Sequence, residues 1–411
     1  MARHYLDHAS TTPPRPEARD AMAAWEGLGV TADPGRVHTE GRMVRVALED
    51  ARDQVAGLFG VRPRQVVLTS GGTEAVNAAV WGVVASAAQA TGPYGSAAPV
   101  ACAAVEHSAV RDASARHGGV VAIAVDRVGR IDPEAVADAV ARCDAEFGHP
   151  PVLVHCQAAN HEVGTSQDVA GVVARCRELG VPVHVDAVAA AGHLPFDAES
   201  SGADLVSVSS HKLGGPAGVG ALILRRGLRI APLLVGGVQE RGRRAGLENV
   251  AGAIGFGAAC AALAEPGRIG EEASAARRLT ERLLAAALAV DGVTPYGDTD
   301  RRVPHIVCLG VEGVEAEPVL LGLDQAGVAV HSGSSCSSES LEPSPVLEAM
   351  GVDGERSLRL SVGWPTTDDD VEAFARAFAG VVGRLRDLAG PVPRPDAPPG
   401  PGAGSGPGAR H

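Results

Sequence analysis

Short, nearly continuous apolar runs recur along the first half of the chain, at residues 65–69, 100–105, 120–125, 152–156, 181–185, 205–209 and 221–224. Runs of this length and composition read as strands buried on both faces of a sheet. Between them, residues 42–59, 74–88 and 168–179 carry apolar positions at helical spacing. Strand and helix in alternation predict an α/β layered domain with a mostly parallel sheet. The first 25 or so residues read as extended and turn-rich, with Thr12-Pro13-Pro14 as a breaker.

From about Glu265 the pattern changes. A long helix at 271–290 leads into separated strands at 305–309 and 357–360. A last helix opens at Thr367, whose side chain is placed to cap it ahead of Asp368, Asp369 and Asp370. This predicts a second, smaller α+β domain. After Leu388 the chain reads PVPRPDAPPGPGAGSGPGARH, a composition that cannot bury a core. The expected organisation is a large domain at 16–264, a small domain from 1–15 and 265–388, and a disordered Pro/Gly-rich tail at 389–411. No internal repeat is present.

Composition narrows the function. Hydrophobic residues at 45% and charged residues at 21% fit a soluble globular protein. A formal net charge of -13 argues against nucleic acid or an anionic membrane as the main partner. No apolar run reaches the roughly 20 residues of a membrane span, and the N-terminus has no apolar signal core. Both point to the cytoplasm. There the seven cysteines are expected to be reduced, and they show no metal-ligand spacing. Cys102 and Cys308 sit in apolar runs and read as small buried hydrophobes. Cys336, in HSGSSCSSES, has no apolar neighbour to bury it.

One residue stands out by its rarity. Of 36 basic residues, 35 are arginine and Lys212 is the only lysine. A coding bias toward arginine explains the excess, and it makes the exception informative. Arginine stays protonated and cannot act as a nucleophilic amine, so a lone retained lysine is a candidate for imine chemistry.

Other candidates fall at loop and strand ends. Ser70-Gly71-Gly72-Thr73-Glu74 joins a strand to a helix and suits one phosphate, or is a plain turn. Asp186 ends an apolar strand, where ligands of parallel sheets gather. There it could keep a pyridine nitrogen protonated, cap a helix, or join His184 at a metal, for which no third ligand has sensible spacing. Ser209 and His211 flank Lys212 and could hold a phosphate. His107 could stack on a flat ring and shuttle protons, or be an ordinary satisfied histidine. Arg359 lies on an apolar strand and is either a solvated charge or a carboxylate-binding fork.

The segments YLDHASTTP, LTSGGTEAVN, EHSAV, ANHEVGTSQD, HVDAV, SSHKLGGPAGVGAL, ERGRRAGLENV, HSGSSCSSESLEPS and SLRLSVGWPTT together resemble the cysteine desulfurases. These belong to the class V aminotransferase group of fold-type I pyridoxal-phosphate enzymes. The similarity runs from Tyr5 to about Leu388, and the serine-rich cysteine loop is similar to that of the NifS-type branch, whose loop is long and mobile. The resemblance implies pyridoxal 5'-phosphate as cofactor and L-cysteine as substrate. It implies that Lys212 forms the Schiff base and that Asp186 pairs with the pyridine nitrogen. Gly72, Thr73, Ser209 and His211 bind the phosphate, His107 stacks on the ring and transfers protons, and Arg359 grips the substrate carboxylate. Cys336 takes the sulfur as a persulfide for an acceptor protein, such as one in iron–sulfur cluster assembly, and alanine leaves. A homodimer is implied, with sites completed across its interface.

Three positions depart from that pattern. The family usually has Asn-Asn-Glu at Asn160-His161-Glu162, Gln at Ala189 and Thr at Leu247. The first two normally touch the cofactor's 3-oxygen, which leaves Asn160 or His161 to do so here. The third reaches the phosphate from the neighbouring subunit. Another C–S lyase of a specialised pathway and a catalytically inactive scaffold are the competing expectations.

Overall fold

The computed structural model describes residues 3–91, 98–333 and 344–389. Cys336 and the tail after 389 lie outside the described residues. Along the chain run β1 (His4–Tyr5), α1 (Pro16–Gly27), α2 (Thr39–Leu58), β2 (Val66–Thr69), α3 (Gly72–Thr91), β3 (Val100–Ala103), α4 (Ser108–His117), β4 (Val120–Ile123), α5 (Pro133–Phe147) and β5 (Leu153–Gln157). Then come α6 (Val169–Leu179), β6 (Val183–Asp186), α7 (Ala198–Ser201), β7 (Leu205–Ser209), β8 (Gly220–Leu224), α8 (Gln239–Gly242), α9 (Val250–Leu263) and α10 (Arg268–Leu288). The remainder is β9 (Val293–Tyr296), β10 (Ile306–Val311), α11 (Ala316–Gln325), β11 (Val328–Ala329), β12 (His331–Ser332), α12 (Pro345–Met350), β13 (Ser357–Ser361) and α13 (Asp368–Ala389).

Seven strands form one sheet in the order β2-β8-β7-β6-β5-β3-β4. The pairs β7/β6, β6/β5, β5/β3 and β3/β4 are parallel, and β8 runs antiparallel to both its neighbours. β2 therefore points the same way as β7, and every strand except β8 releases its chain at one edge. The expected mostly parallel sheet is found. One apolar layer, with Leu153, Leu205 and Leu222, lies under α3; a larger one, with Val154, Val183 and Phe256, fills the opposite face. There α9 packs along α2, and Gly257 permits the approach: a Cβ on it would lie 2.8 Å from the Ala51 Cα.

A second sheet, β12-β13-β10-β9, is antiparallel, and β1 pairs with β11. Its core joins Leu309, Leu360, Phe374 and Phe378 to Leu6 from the N-terminal segment. The N-terminal segment then crosses to the large sheet. Arg15 donates to the Leu213 carbonyl and pairs with Glu272.

Three local expectations are corrected. The first 25 residues are not extended throughout, because α1 begins at Pro16. Proline is tolerated in a first turn, where its missing N–H has no partner to lose. The run at 120–125 is buried on one face only, because β4 is the sheet edge. The Thr367 hydroxyl does not accept from α13; it and the Thr367 N–H both donate to Asp370, the other half of a capping box.

Candidate active site

At the edge where the parallel strands end, a cavity of about 290 Å³ opens. Gly72 and Thr73 line it from the start of α3, His107 from beyond β3, and His161 from beyond β5. Asp186, the last residue of β6, also lines it, as do Ser209, His211 and Lys212 from the end of β7 and the turn that follows. Arg359 reaches it from β13 in the second sheet. Residues scattered from Gly72 to Lys212 thus share one wall because the strand order of the large sheet delivers them there, and the second sheet adds Arg359.

Each position has a local cause. Gly72 is a close approach: a Cβ there would lie 2.8 Å from the Val188 side chain and 3.4 Å from the Ser209 Cβ. The bare backbone and the free N–H groups of the first turn of α3 form a cradle for an anion. Beside it the Ser209 hydroxyl is buried and has no hydrogen-bond partner, which leaves it able to bond an anion held in the cradle. Burial, with Lys212 nearby, lowers the His211 pKa to about 4, so its ring is neutral at pH 7. After Lys212 the chain turns tightly. Gly214 sits at φ 88°, and a Cβ on Gly215 would strike the Ser210 hydroxyl.

Lys212 Nζ donates to the carbonyls of Ala9 and Ser10, the latter at 2.9 Å. The His107 Nδ1 accepts the Ala109 N–H at 3.0 Å and caps α4, so the neutral ring carries its proton on Nε2. Its ring meets the edge of His161, with centroids 4.8 Å apart. Arg359 Nη2 donates to Asp7 and Ser10, Nη1 donates to the His161 carbonyl, and the buried Nε has no partner. The set offers an anion cradle, a carboxylate facing the cavity, an amine and a guanidinium. Those are the groups that a phosphorylated aromatic aldehyde and an amino-acid substrate require, so the residues fit pyridoxal phosphate.

Asn160 is not on the cavity wall. It is fully buried, donates to the Val105 carbonyl and accepts the N–H groups of Glu162 and Val163, so its amide is spent on the turn after β5. Gln157 does line the cavity, as does Ala189, and the sequence reading missed it. Its position at the end of β5 was the available signal. Glu106, next to His107, was also missed. It is fully buried, accepts the Gln157 N–H at 2.7 Å, and burial together with Asp186 pushes its pKa up to about 8. His184 bonds His155 and the Ser207 hydroxyl, each at 2.7 Å, and no metal-holding cluster exists among the described residues. Leu247 is exposed and lies off this wall. The six described cysteines are all buried, and none lines the cavity.

The family model described as aminotransferase class-V matches residues 4–374. The chain is 38% identical over 395 residues to an IscS-like cysteine desulfurase of Mycobacterium tuberculosis, covering 94% of this chain and 98% of that one. It is 36% identical over 397 residues to the cysteine desulfurase IscS of Dictyoglomus turgidum, covering 93% and 95%. Among solved structures, a NifS-like protein from Rickettsia africae superposes with a TM-score of 0.82 at 27% identity, covering 93% of this chain and 99% of that one.

Proposed function

The chain belongs to the class-V aminotransferase family, and from that premise we propose that it is a pyridoxal-phosphate-dependent cysteine desulfurase. The observation that carries the reading is the only lysine of the sequence standing on one cavity wall with Asp186 and Arg359. Lys212 would hold the cofactor covalently. Gly72, Thr73, Ser209 and His211 would hold its phosphate, Asp186 its ring nitrogen, and His107 its ring face. The cofactor supplies an electron sink for the bonds around the substrate's α-carbon.

The chain's own groups do the rest. Arg359 binds the cysteine carboxylate with the guanidinium edge that includes the unpartnered Nε. His107 moves a proton at Nε2. Cys336 attacks the substrate sulfur as a thiolate. The C–S electron pair stays with the carbon fragment, which takes up a proton and leaves as alanine. Cys336 keeps the sulfur as a persulfide for an acceptor protein. Its position supports this role: Cys336 lies three residues beyond Gly333, a stretch spanning at most about 11 Å. β12, just before it, pairs His331 with Arg359.

The reading also assigns residues 16–264 to the cofactor-binding domain, and 1–15 with 265–388 to a smaller domain. It includes a homodimer. Leu234, Val235, Val238 and Leu247 are large apolar side chains left exposed within fourteen residues of sequence, and exposed apolar surface suits a second copy. It includes a cytoplasmic setting, supported by unpaired buried cysteines. No single helix among the described residues is long and apolar enough to cross a membrane. The test is incubation with L-cysteine and a thiol. Equal amounts of alanine and sulfide are expected; pyruvate and ammonia with the sulfide would replace the reading with a lyase.

A further inference from the structure

Glu162 has no part in the chemistry above, yet it is a buried carboxylate beside the cavity, only 1% exposed. Its Oε2 accepts the Ser344 hydroxyl at 2.5 Å, and Ser344 Oγ accepts the Leu347 N–H, capping α12. Its Oε1 lies 3.6 Å from His161 Nε2. His161 packs edge-on against His107, and its carbonyl accepts from Arg359. Asn160 holds the turn from beneath by accepting the Glu162 and Val163 N–H groups, both at 2.8 Å. One carboxylate therefore touches both the cap of α12 and a residue in contact with His107 and Arg359. A carboxylate this buried is stable only when it is paired and hydrogen-bonded, so its two oxygens hold both partners in place.

We propose that Glu162 is a positioning residue: it fixes His161 against His107 and Arg359 and ties that unit to the start of α12. Ser344 lies eight residues beyond Cys336 in the sequence. The tie fixes Ser344 to the turn that carries His161. The inference rests on the desulfurase reading. That reading fails separately if the wild-type protein shows no visible absorbance from bound cofactor.

The test compares Glu162→Gln, Ser344→Ala and their double variant in the purified full-length protein. Two quantities are read: the visible absorption maximum of bound cofactor, and the rate of Cys336 alkylation by iodoacetamide. Glu162→Gln keeps the shape and removes the charge facing His161. It is expected to shift the absorption maximum and change the alkylation rate by about threefold or more, the low end for groups in direct contact. Ser344→Ala should move the alkylation rate alike. The double variant should be no worse than the larger single, because both cut one link. Glu162→Asp, which keeps the charge, should restore the spectrum in part. A lowered melting temperature with wild-type spectrum and alkylation rate would make Glu162 merely structural and overturn the proposal, as would additive effects in the double variant. Should Glu162→Gln not fold, the same double cycle is run with His161→Gln and Ser344→Ala, where additivity again overturns it.

Discussion

Arg359 Nη2 donates to the Asp7 carboxylate at 2.8 Å, which pins a guanidinium in the interior of a strand while its Nε stays buried without a partner. This explains how an arginine survives on an apolar strand. Asp7 and Ser10 orient the fork, and the remaining donor faces the need for a carboxylate. Arg359→Lys keeps the charge and loses the fork. The KM for L-cysteine should rise about 10- to 100-fold, the equivalent of one charge-assisted hydrogen bond of roughly 1.5–3 kcal/mol. The visible absorbance of bound cofactor should persist. Steady-state kinetics beside a spectrum check this, and an unchanged KM would remove Arg359 from substrate binding.

Glu106 gives a pH signature. Burial first, and Asp186 second, raise its pKa to about 8, against about 4.3 for an ordinary glutamate. Between those values the unfolded chain has released a proton that the folded chain retains, so this group's contribution to stability falls as pH rises and levels off above about 8. Glu106→Gln cannot ionise, and its oxygen can still accept the Gln157 N–H. The melting temperature of the variant relative to wild type should therefore climb from pH 5 to pH 8 and then stay level. Parallel melting curves across that range would show that Glu106 is ionised in the folded protein.

The 3-oxygen of the cofactor should be contacted by His161. Ala189 offers no hydrogen bond through its side chain, and Asn160 is spent on the backbone, whereas His161 and Gln157 are on the wall. His161→Ala should weaken cofactor retention by about tenfold and alter the visible spectrum, measured by dialysis and reconstitution. Full retention in that variant, with loss in Gln157→Ala, would transfer the role to Gln157.

The sheet was legible because buried parallel strands leave continuous apolar runs. The runs at 205–209 and 221–224 match β7 and β8 to within a residue. The anion cradle, Asp186 and Lys212 were legible because they follow such runs directly. What escaped has a physical reason. α1 was hidden by the Thr12-Pro13-Pro14 breaker, since a proline at a helix start looks like any other proline. That Asn160 faces away from the cavity depends on a turn three residues past β5, where periodicity gives no direction. Glu106, Glu162 and Glu240 are acidic residues for which apolar periodicity carries no signal of burial. Only the three-dimensional packing shows them buried beside partners far along the chain.

Glu240 is the clearest of these. It is buried with Arg52, which donates to both its oxygens at 2.6 and 2.7 Å, and Leu68 N–H donates to it as well. Glu240 and Arg241 both hold φ near 50–60°, a region costly for non-glycine residues. The ion pair therefore secures a strained segment against β2, just ahead of the anion cradle. Glu240→Ala should destabilise the protein by about 3–5 kcal/mol, because buried Arg52 loses the carboxylate partner of both its Nη groups and keeps only the half-exposed Glu49 carboxylate, at 3.3 Å from its Nε. Denaturant unfolding measures it. A loss under about 1 kcal/mol would mean that water or Glu49 compensates.

Cys336 should be the sulfur carrier, and the other six cysteines should be dispensable for it. Only a thiolate attacks sulfur, and thiolates need a setting that lowers the thiol pKa. Burial does the opposite to the six described cysteines. It pushes Cys102, Cys176 and Cys308 up to about 12 and Cys143 to about 11, and it raises Cys156 and Cys260 as well. None of them lines the cavity. Cys336→Ser should still bind cofactor and cysteine, since Lys212 and Arg359 remain, but should release no sulfide under reducing conditions. Wild type incubated with cysteine, alkylated and mapped by mass spectrometry should carry its extra sulfur on the peptide containing Cys336. Extra sulfur on Cys102 or Cys308, or sulfide release by Cys336→Ser at the wild-type rate, would overturn the assignment, because the sulfur would then leave the substrate without passing through Cys336.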